Sequence, residues 1–179
     1  MVPTTLSTPR LLLRPFRPAD APAFPAYINH PDMGTYLEGD GRHVSEEKAR
    51  EIIERHLQAD PLERAVWAIT ADDQLVGALT INLAKQGRVA EIGYSISRSH
   101  WGRGYATEAV RTLVDTAFGD LPELQRIQAN IHPQNLGSIR VVTAAGMRFE
   151  GTLRAYAFVA GEVADENIYA ITRTDYEAP

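Results

Sequence analysis

The period of the apolar positions changes once, sharply, in the middle of the chain. Ile92, Tyr94 and Ile96 alternate with Glu91, Gly93, Ser95 and Ser97, which predicts a strand with one apolar face. Beyond Gly104 the apolar positions Ala106, Ala109, Val110, Leu113, Val114, Ala117 and Phe118 recur at helical spacing and predict an amphipathic helix. Gly102-Arg103-Gly104 stands at the junction and reads as a tight turn.

Similar patterning places the other elements. Arg10 to Phe16 predicts a first strand, Arg17 to Asp20 a turn, and Ala21 to Asn29 a helix with Asp20 as its cap, although Pro22 and Pro25 lie inside it. Pro31 to His43 reads as a loop. Ser45 caps a helix with the stripe Ala49, Ile52, Ile53 and Leu57. Val66–Ile69 and Leu75–Ile81 are strands about an Ala71–Gln74 hairpin turn, and Lys85–Arg88 is a further turn. Gly119 to Glu123 reads as a loop. Arg126–Ile131 alternates and predicts a strand. Reached through a helical crossover, it is expected to lie parallel to the strand before that helix. Leu136 to Ala145 predicts a helix capped by Asn135 and ended by Gly146. Met147–Thr152, Tyr156–Val159 and Asn167–Ile171 are closing strands, with a turn at Gly161. No repeat, low-complexity segment or linker interrupts residues 1–179, so a single α+β domain with a mixed sheet is expected.

Composition narrows the chemistry. The 179 residues are 44% hydrophobic and 23% charged, as in globular proteins with one core. Without cysteine, disulfides, thiolate metal sites and a cysteine nucleophile are excluded. The net charge of −5 is dispersed, which argues against general nucleic-acid binding. It suits a cationic acceptor such as an amine, or simply solubility. No apolar run approaches the roughly 20 residues of a membrane span, and the first residues lack a secretory pattern. A cytoplasmic protein that binds no membrane is expected.

The glycine turn offers chemistry of its own. The first N–H groups of a helix have no internal acceptor, and the helix dipole adds positive potential there. Such a turn is an anion site. Two nucleotide fingerprints fail on it. There is no Gly-Lys-Ser/Thr of a P-loop, and Thr107 stands where a dinucleotide fold needs its third glycine.

Trp101-Gly102-Arg103-Gly104-Tyr105-Ala106-Thr107-Glu108-Ala109 resembles the acyl-CoA loop of the GNAT N-acetyltransferases, whose pattern is Arg/Gln-x-x-Gly-x-Gly/Ala. Gly104 and Ala106 match it. Trp101 stands where Arg or Gln is usual, a form seen in the RimJ/RimL branch that acetylates ribosomal-protein N-termini. Asn135-Leu136-Gly137-Ser138 resembles that branch's Asn-x-x-Ser element. Asp165-Glu166-Asn167-Ile168-Tyr169 is similar to its closing strand, and Thr8 to Arg14 to its N-terminal segment. The resemblance spans nearly the whole chain in order. It implies the GNAT (acyl-CoA N-acyltransferase) fold, with a mixed central sheet of about six to seven strands and flanking helices.

The resemblance also implies roles. Acetyl-CoA would be the co-substrate, with no metal. Gly102, Arg103, Gly104, Tyr105, Ala106 and Thr107 would hold its pyrophosphate through backbone N–H groups. Arg98 and Arg103 either add charge to the phosphates or are ordinary surface arginines. Ser95, Ile96 and Ser97 would pair with the pantetheine arm, and an N–H near Ser95 or Ile96 would steady the oxyanion. An amine attacks as the free base but is mostly protonated at pH 7, so a general base is useful. Glu91 matches the family's strand-borne glutamate. It stands roughly 13 Å from Ser95 at ~3.3 Å per residue, so a bulge or a water must intervene. Its other reading is a solvent-facing strand glutamate. Ser138 aligns with the group that protonates or hydrogen-bonds the leaving sulfur, or is simply a first-turn serine. Asn135 caps its helix and orients pantetheine or a water. Glu162 and Asp165 either attract the acceptor's ammonium or are turn acids. The implied acceptor is a primary amine, either a protein N-terminal residue or a small molecule such as an aminoglycoside or polyamine. A non-catalytic acyl-CoA-binding module is the alternative class. The oligomeric state is open, a homodimer being one expectation.

Overall fold

The computed structural model describes residues 2–36, 43–159 and 161–178. Two hydrogen-bonded strands, β1 (Leu6–Ser7) and β2 (Leu12–Pro15), open the chain. A 3₁₀ turn at Pro18–Asp20 and the short helix α1 (Phe24–Ile28) follow. Helix α1 is shorter than the pattern suggests because Pro25 is accepted only in its first turn, where its missing N–H donor costs no intrahelical hydrogen bond. Asp20 does not cap it. Its carboxylate accepts the Arg17 N–H at 2.7 Å and two bonds from the Arg14 guanidinium at 2.7 and 2.8 Å. The expected loop from Pro31 begins with one helical turn, α2 (Pro31–Gly34), and its residues 37–42 lie outside the described residues.

Helix α3 (Glu46–Leu57) starts where Ser45 Oγ accepts the Lys48 N–H at 3.1 Å. Strands β3 (Arg64–Ala71), β4 (Gln74–Ala84) and β5 (Val89–Ile96) form the antiparallel meander. Helix α4 (Tyr105–Asp120) runs through the expected Gly119–Glu123 loop by one residue beyond Gly119. Strand β6 (Arg126–Ile131) is parallel to β5, as the helical crossover requires. Helix α5 (Leu136–Ala144), the hairpin of β7 (Arg148–Val159) and β8 (Glu162–Thr172), and a terminal turn α6 (Arg173–Glu177) complete the chain.

The described sheet has eight strands in the order β1-β2-β3-β4-β5-β6-β8-β7, rather than six or seven. Strand β1 is too short to leave an alternating pattern. Strand β7 is interrupted by irregular register around Gly151 and Ala155, the latter at φ 53°, so its two halves read as separate strands.

Alternation along β3 feeds two cores. Trp67 and Ile69 point to one face with Leu79, Ile81, Leu113, Val110 and Ile127; Ala68 points to the other with Phe16, Phe24, Tyr27 and Ile53. The predicted α4 stripe from Ala109 to Phe118 is buried in the first core. Val110, Leu113, Val114 and Phe118 each contribute roughly 2 kcal/mol of transfer free energy, and the two alanines less. That packing fixes the start of α4 against the end of β5.

Candidate functional site

Strands β5 and β6 part company. They pair only from Val89–Glu91 against Arg126–Gln128. Beyond that point β5 stays with β4 as far as Ile96, while β6 stays with β8 as far as Ile131. An open cleft of about 1670 Å³ fills the gap. Among the predicted residues, Glu91, Ser95, Ile96, Gly102, Gly104, Tyr105, Ala106, Thr107, Asn135 and Ser138 line it. They come from β5, the glycine turn, α4 and the start of α5.

The backbone of β5 shows which groups face the gap. The Ser97 N–H donates to Val76 O on β4 at 2.8 Å. Alternation then turns the Ile96 N–H and C=O the other way, toward the cleft. The Ile96 carbonyl is met there by the Trp101 indole N–H at 2.6 Å. Trp101 thus ties the glycine turn to the end of β5, a role the Arg or Gln usual at this position need not share. The Ser97 hydroxyl is bonded to His100 Nδ1 at 2.7 Å. Ser97 therefore lies off the cleft wall, because both its amide and its side chain serve the fold.

The glycine turn has the backbone geometry of a tight strand-to-helix junction. Gly102 and Gly104 have φ of 75° and 78°, a region where a side chain is strained. Gly104 is the N-cap of α4, and its carbonyl accepts the Glu108 N–H at 3.0 Å. The N–H groups of Tyr105, Ala106 and Thr107 thus precede the first intrahelical bond. Arg98 and Arg103 lie outside the cleft lining. The Arg98 guanidinium pairs with Asp32 at 2.6 Å and lies 4.8 Å over the Trp101 ring. The Arg103 carbonyl accepts from Arg10 Nη1 at 2.8 Å.

Opposite, Asn135 Oδ1 accepts the Ser138 N–H at 3.1 Å and caps α5. The Tyr94 hydroxyl donates to the Ser138 carbonyl at 3.0 Å. Burial pushes the Tyr94 phenol up to about 12, against the opposing effect of that bond. Tyr27, buried on α1, shares a hydroxyl–hydroxyl bond with Ser95, and burial likewise pushes its phenol up to about 12. On the cleft floor Glu91 Oε2 accepts from Gln128 Nε2 at 3.2 Å and from Asn130 Nδ2 at 3.4 Å. Glu162 and Asp165 are exposed and outside the cleft lining, and Asp165 accepts the Ala155 N–H at 2.8 Å. Their neighbour Glu166, in the same strand, is buried and does line it.

Sequence reasoning missed Tyr27, Tyr94 and the Thr8–Arg10–Glu108 contacts. The only signal was Tyr94's period-two position in β5, which a core tyrosine shares. Among the described residues, no cluster of His, Asp and Glu fits a metal ion, and no helix is long and apolar enough to cross a membrane.

A family profile described as "Acetyltransferase (GNAT) domain" matches residues 10–148. The uncharacterized N-acetyltransferase p20 of Bacillus licheniformis is 32% identical over 96% of this chain and 98% of its own. The ribosomal-protein-serine acetyltransferase of Escherichia coli is 28% identical over 70% of this chain and 71% of its own. The solved structure of Mycobacterium smegmatis RimJ in complex with CoA-disulfide superposes with a TM-score of 0.85, at 29% identity over 94% of this chain and 84% of that one.

Proposed function

The chain belongs to the GNAT acetyltransferase family, an acetyl-CoA-dependent N-acetyltransferase by descent, and from that premise we propose that it acetylates the N-terminal amine of a protein, of ribosomal-protein type. The observation that carries the site assignment is the parting of β5 from β6 after Glu91, with the Ile96 backbone turned into a cleft that ends at the α4 N-terminus. An extended thiol arm fits such a gap as an added strand, and the terminal N–H groups of Tyr105 to Thr107 suit a diphosphate.

In this reading, acetyl-CoA supplies the activated acetyl group and the chain supplies position and proton transfer. The Gly102–Thr107 backbone holds the pyrophosphate. The Ile96 N–H binds the thioester oxygen and the charge that develops on it. The amine attacks directly; the bond from carbonyl carbon to nitrogen forms as the bond to sulfur breaks. Glu91, held by Gln128 and Asn130, takes the amine's proton through water. The Ser138 hydroxyl bonds the departing sulfur, with Asn135 and Tyr94 fixing its backbone. Arg98 and Arg103 contribute at most long-range charge.

A protein N-terminus as acceptor is supported by the ribosomal-protein-serine acetyltransferase among the relatives and by the cleft's open form. The action is assigned to the cytoplasm, where such an acceptor is made. Release of CoA thiol, followed with peptides bearing free N-terminal Ser or Ala, tests the acceptor. Turnover with these peptides and none with their Nα-blocked forms is expected. Turnover restricted to polyamines or aminoglycosides would reassign the acceptor, and no turnover with any amine would leave an acyl-CoA binder.

A further inference from the structure

We propose that Arg10, together with Thr8, is a positioning residue for the anion-binding end of α4; this rests on Gly102–Thr107 holding the CoA pyrophosphate. The problem it solves is Glu108. That carboxylate stands in the first turn of α4, where the helix dipole favours it, yet its charge opposes a diphosphate arriving at the same helix end. It is only 15% exposed, so water screens it poorly.

Four donors from the N-terminal segment converge on it. The Thr8 hydroxyl at 2.5 Å and the Arg10 N–H at 3.0 Å bond Oε1; Arg10 Nε at 2.7 Å and Nη2 at 2.5 Å bond Oε2. The same guanidinium donates from Nη1 to the Arg103 carbonyl at 2.8 Å and lies 5.0 Å over the Tyr105 ring. Arg10 therefore joins the loop to the helix and cancels the charge between them. In a trans peptide the C=O and the following N–H point in opposite directions. Drawing the Arg103 carbonyl to Arg10 turns the Gly104 N–H away from Arg10, and Gly104 lines the cleft. Thr8 is itself fixed, its hydroxyl oxygen accepting the Leu11 N–H at 2.8 Å.

The test compares the affinity of the full chain for CoA and for pantetheine, which lacks the pyrophosphate, by titration calorimetry. Arg10→Ala should weaken CoA about tenfold, the scale of one lost charge-assisted hydrogen bond, and leave pantetheine unchanged. Arg10→Lys should lose less, since an ammonium still neutralises Glu108. Arg10→Ala/Glu108→Gln should bind CoA more tightly than Arg10→Ala alone, because the uncovered charge is gone. Unchanged CoA affinity in Arg10→Ala, against a wild type that prefers CoA to pantetheine, overturns the role of Arg10. Equal losses for both ligands overturn it too, in favour of a fold effect. A wild type without that preference overturns the pyrophosphate assignment, and the role of Arg10 falls with it.

Discussion

The Tyr94 hydroxyl, on β5, donates to the carbonyl oxygen of Ser138, on α5, across the cleft at 3.0 Å. The first turn of α5 is thereby held from two sides, since Asn135 takes the Ser138 N–H. Burial raises the phenol to about 12, so it stays protonated and donating throughout the working pH range. Tyr94→Phe leaves the ring's packing and removes this bond, at a cost of about 1 kcal/mol in unfolding free energy. It should lower kcat by about tenfold if Ser138 assists the leaving sulfur. The pH profile should keep its shape, because Tyr94 does not titrate in the window. Urea unfolding and steady-state kinetics at several pH values check both statements.

Gly104 is the second point of leverage. Its φ of 78° places it in the left-handed region, and a side chain there costs about 1–2 kcal/mol. An added Cβ would also come within 3.4 Å of Arg10 Nη2. Gly104→Ala should therefore either strain the turn or rotate the peptides that begin α4. Thermal stabilisation by saturating CoA, which is large whenever ligand greatly exceeds Kd, should shrink markedly in this variant. Gly102→Ala carries the same dihedral strain at φ 75°, but its Cβ meets nothing within 4 Å. It should unfold at a similarly lowered temperature and keep more of the CoA response.

Local patterning made much of this arrangement legible. The change of period around Gly102–Gly104 located β5, the turn and α4, and Arg126–Ile131 coincides with β6. What the pattern lacks is any record of contacts between distant segments. Arg10 and Glu108 lie 98 positions apart, and each alone reads as a surface charge. Tyr94 and Ser138 meet only because β5 and β6 diverge. The family resemblance marks Ser95, Ile96 and Ser97 together, but it does not say which edge of β5 meets β4, and the Ser97 N–H turns out to face Val76 on β4. The composition of Ala21–Asn29 is helical along its whole length, and only the placement of Pro25 in the first turn confines the helix to Phe24–Ile28.

His56 should make stability depend on pH. Burial, reinforced by the charges of Arg64 and Arg55, lowers its pKa to about 4, against roughly 6.5 in the unfolded chain. The unfolded state thus binds more protons between these values, so stability rises with pH across the window. The contribution is complete above about 6.5 and is lost as pH falls toward 4. With the ring partly exposed, it amounts to at most about 2 kcal/mol. His56→Gln cannot titrate, so the drop in urea stability from pH 7 to pH 5 should be smaller than in the wild type. An identical drop would assign the acid sensitivity in this window to groups other than His56; the Arg14–Asp20 pair is not among them, because its lowered carboxylate loses stabilisation only below the ordinary carboxylate range.

Glu91 allows a test that separates its two readings. Its carboxylate is oriented by the amides of Gln128 and Asn130, and Gln at this position can still accept from both through its own carbonyl oxygen. Glu91→Gln therefore removes basicity with little change of shape. If Glu91 is the base, kcat/KM near pH 7 should fall by about 10² or more. The enzyme's base matters most while the acceptor is an ammonium, which must be deprotonated before it attacks; the proton that nitrogen loses after attack can pass to water. The deficit should consequently narrow as pH rises past the acceptor's own pKa, about 8 for an N-terminal amine and above 10 for an alkylamine such as lysine's. A solvent-facing glutamate would give no large deficit at any pH. The pH at which the wild-type and variant profiles converge thus reports on Glu91 and on the acceptor together. Convergence near pH 8 to 9 would favour a protein N-terminus, and a gap that persists to pH 10 would point to an alkylamine.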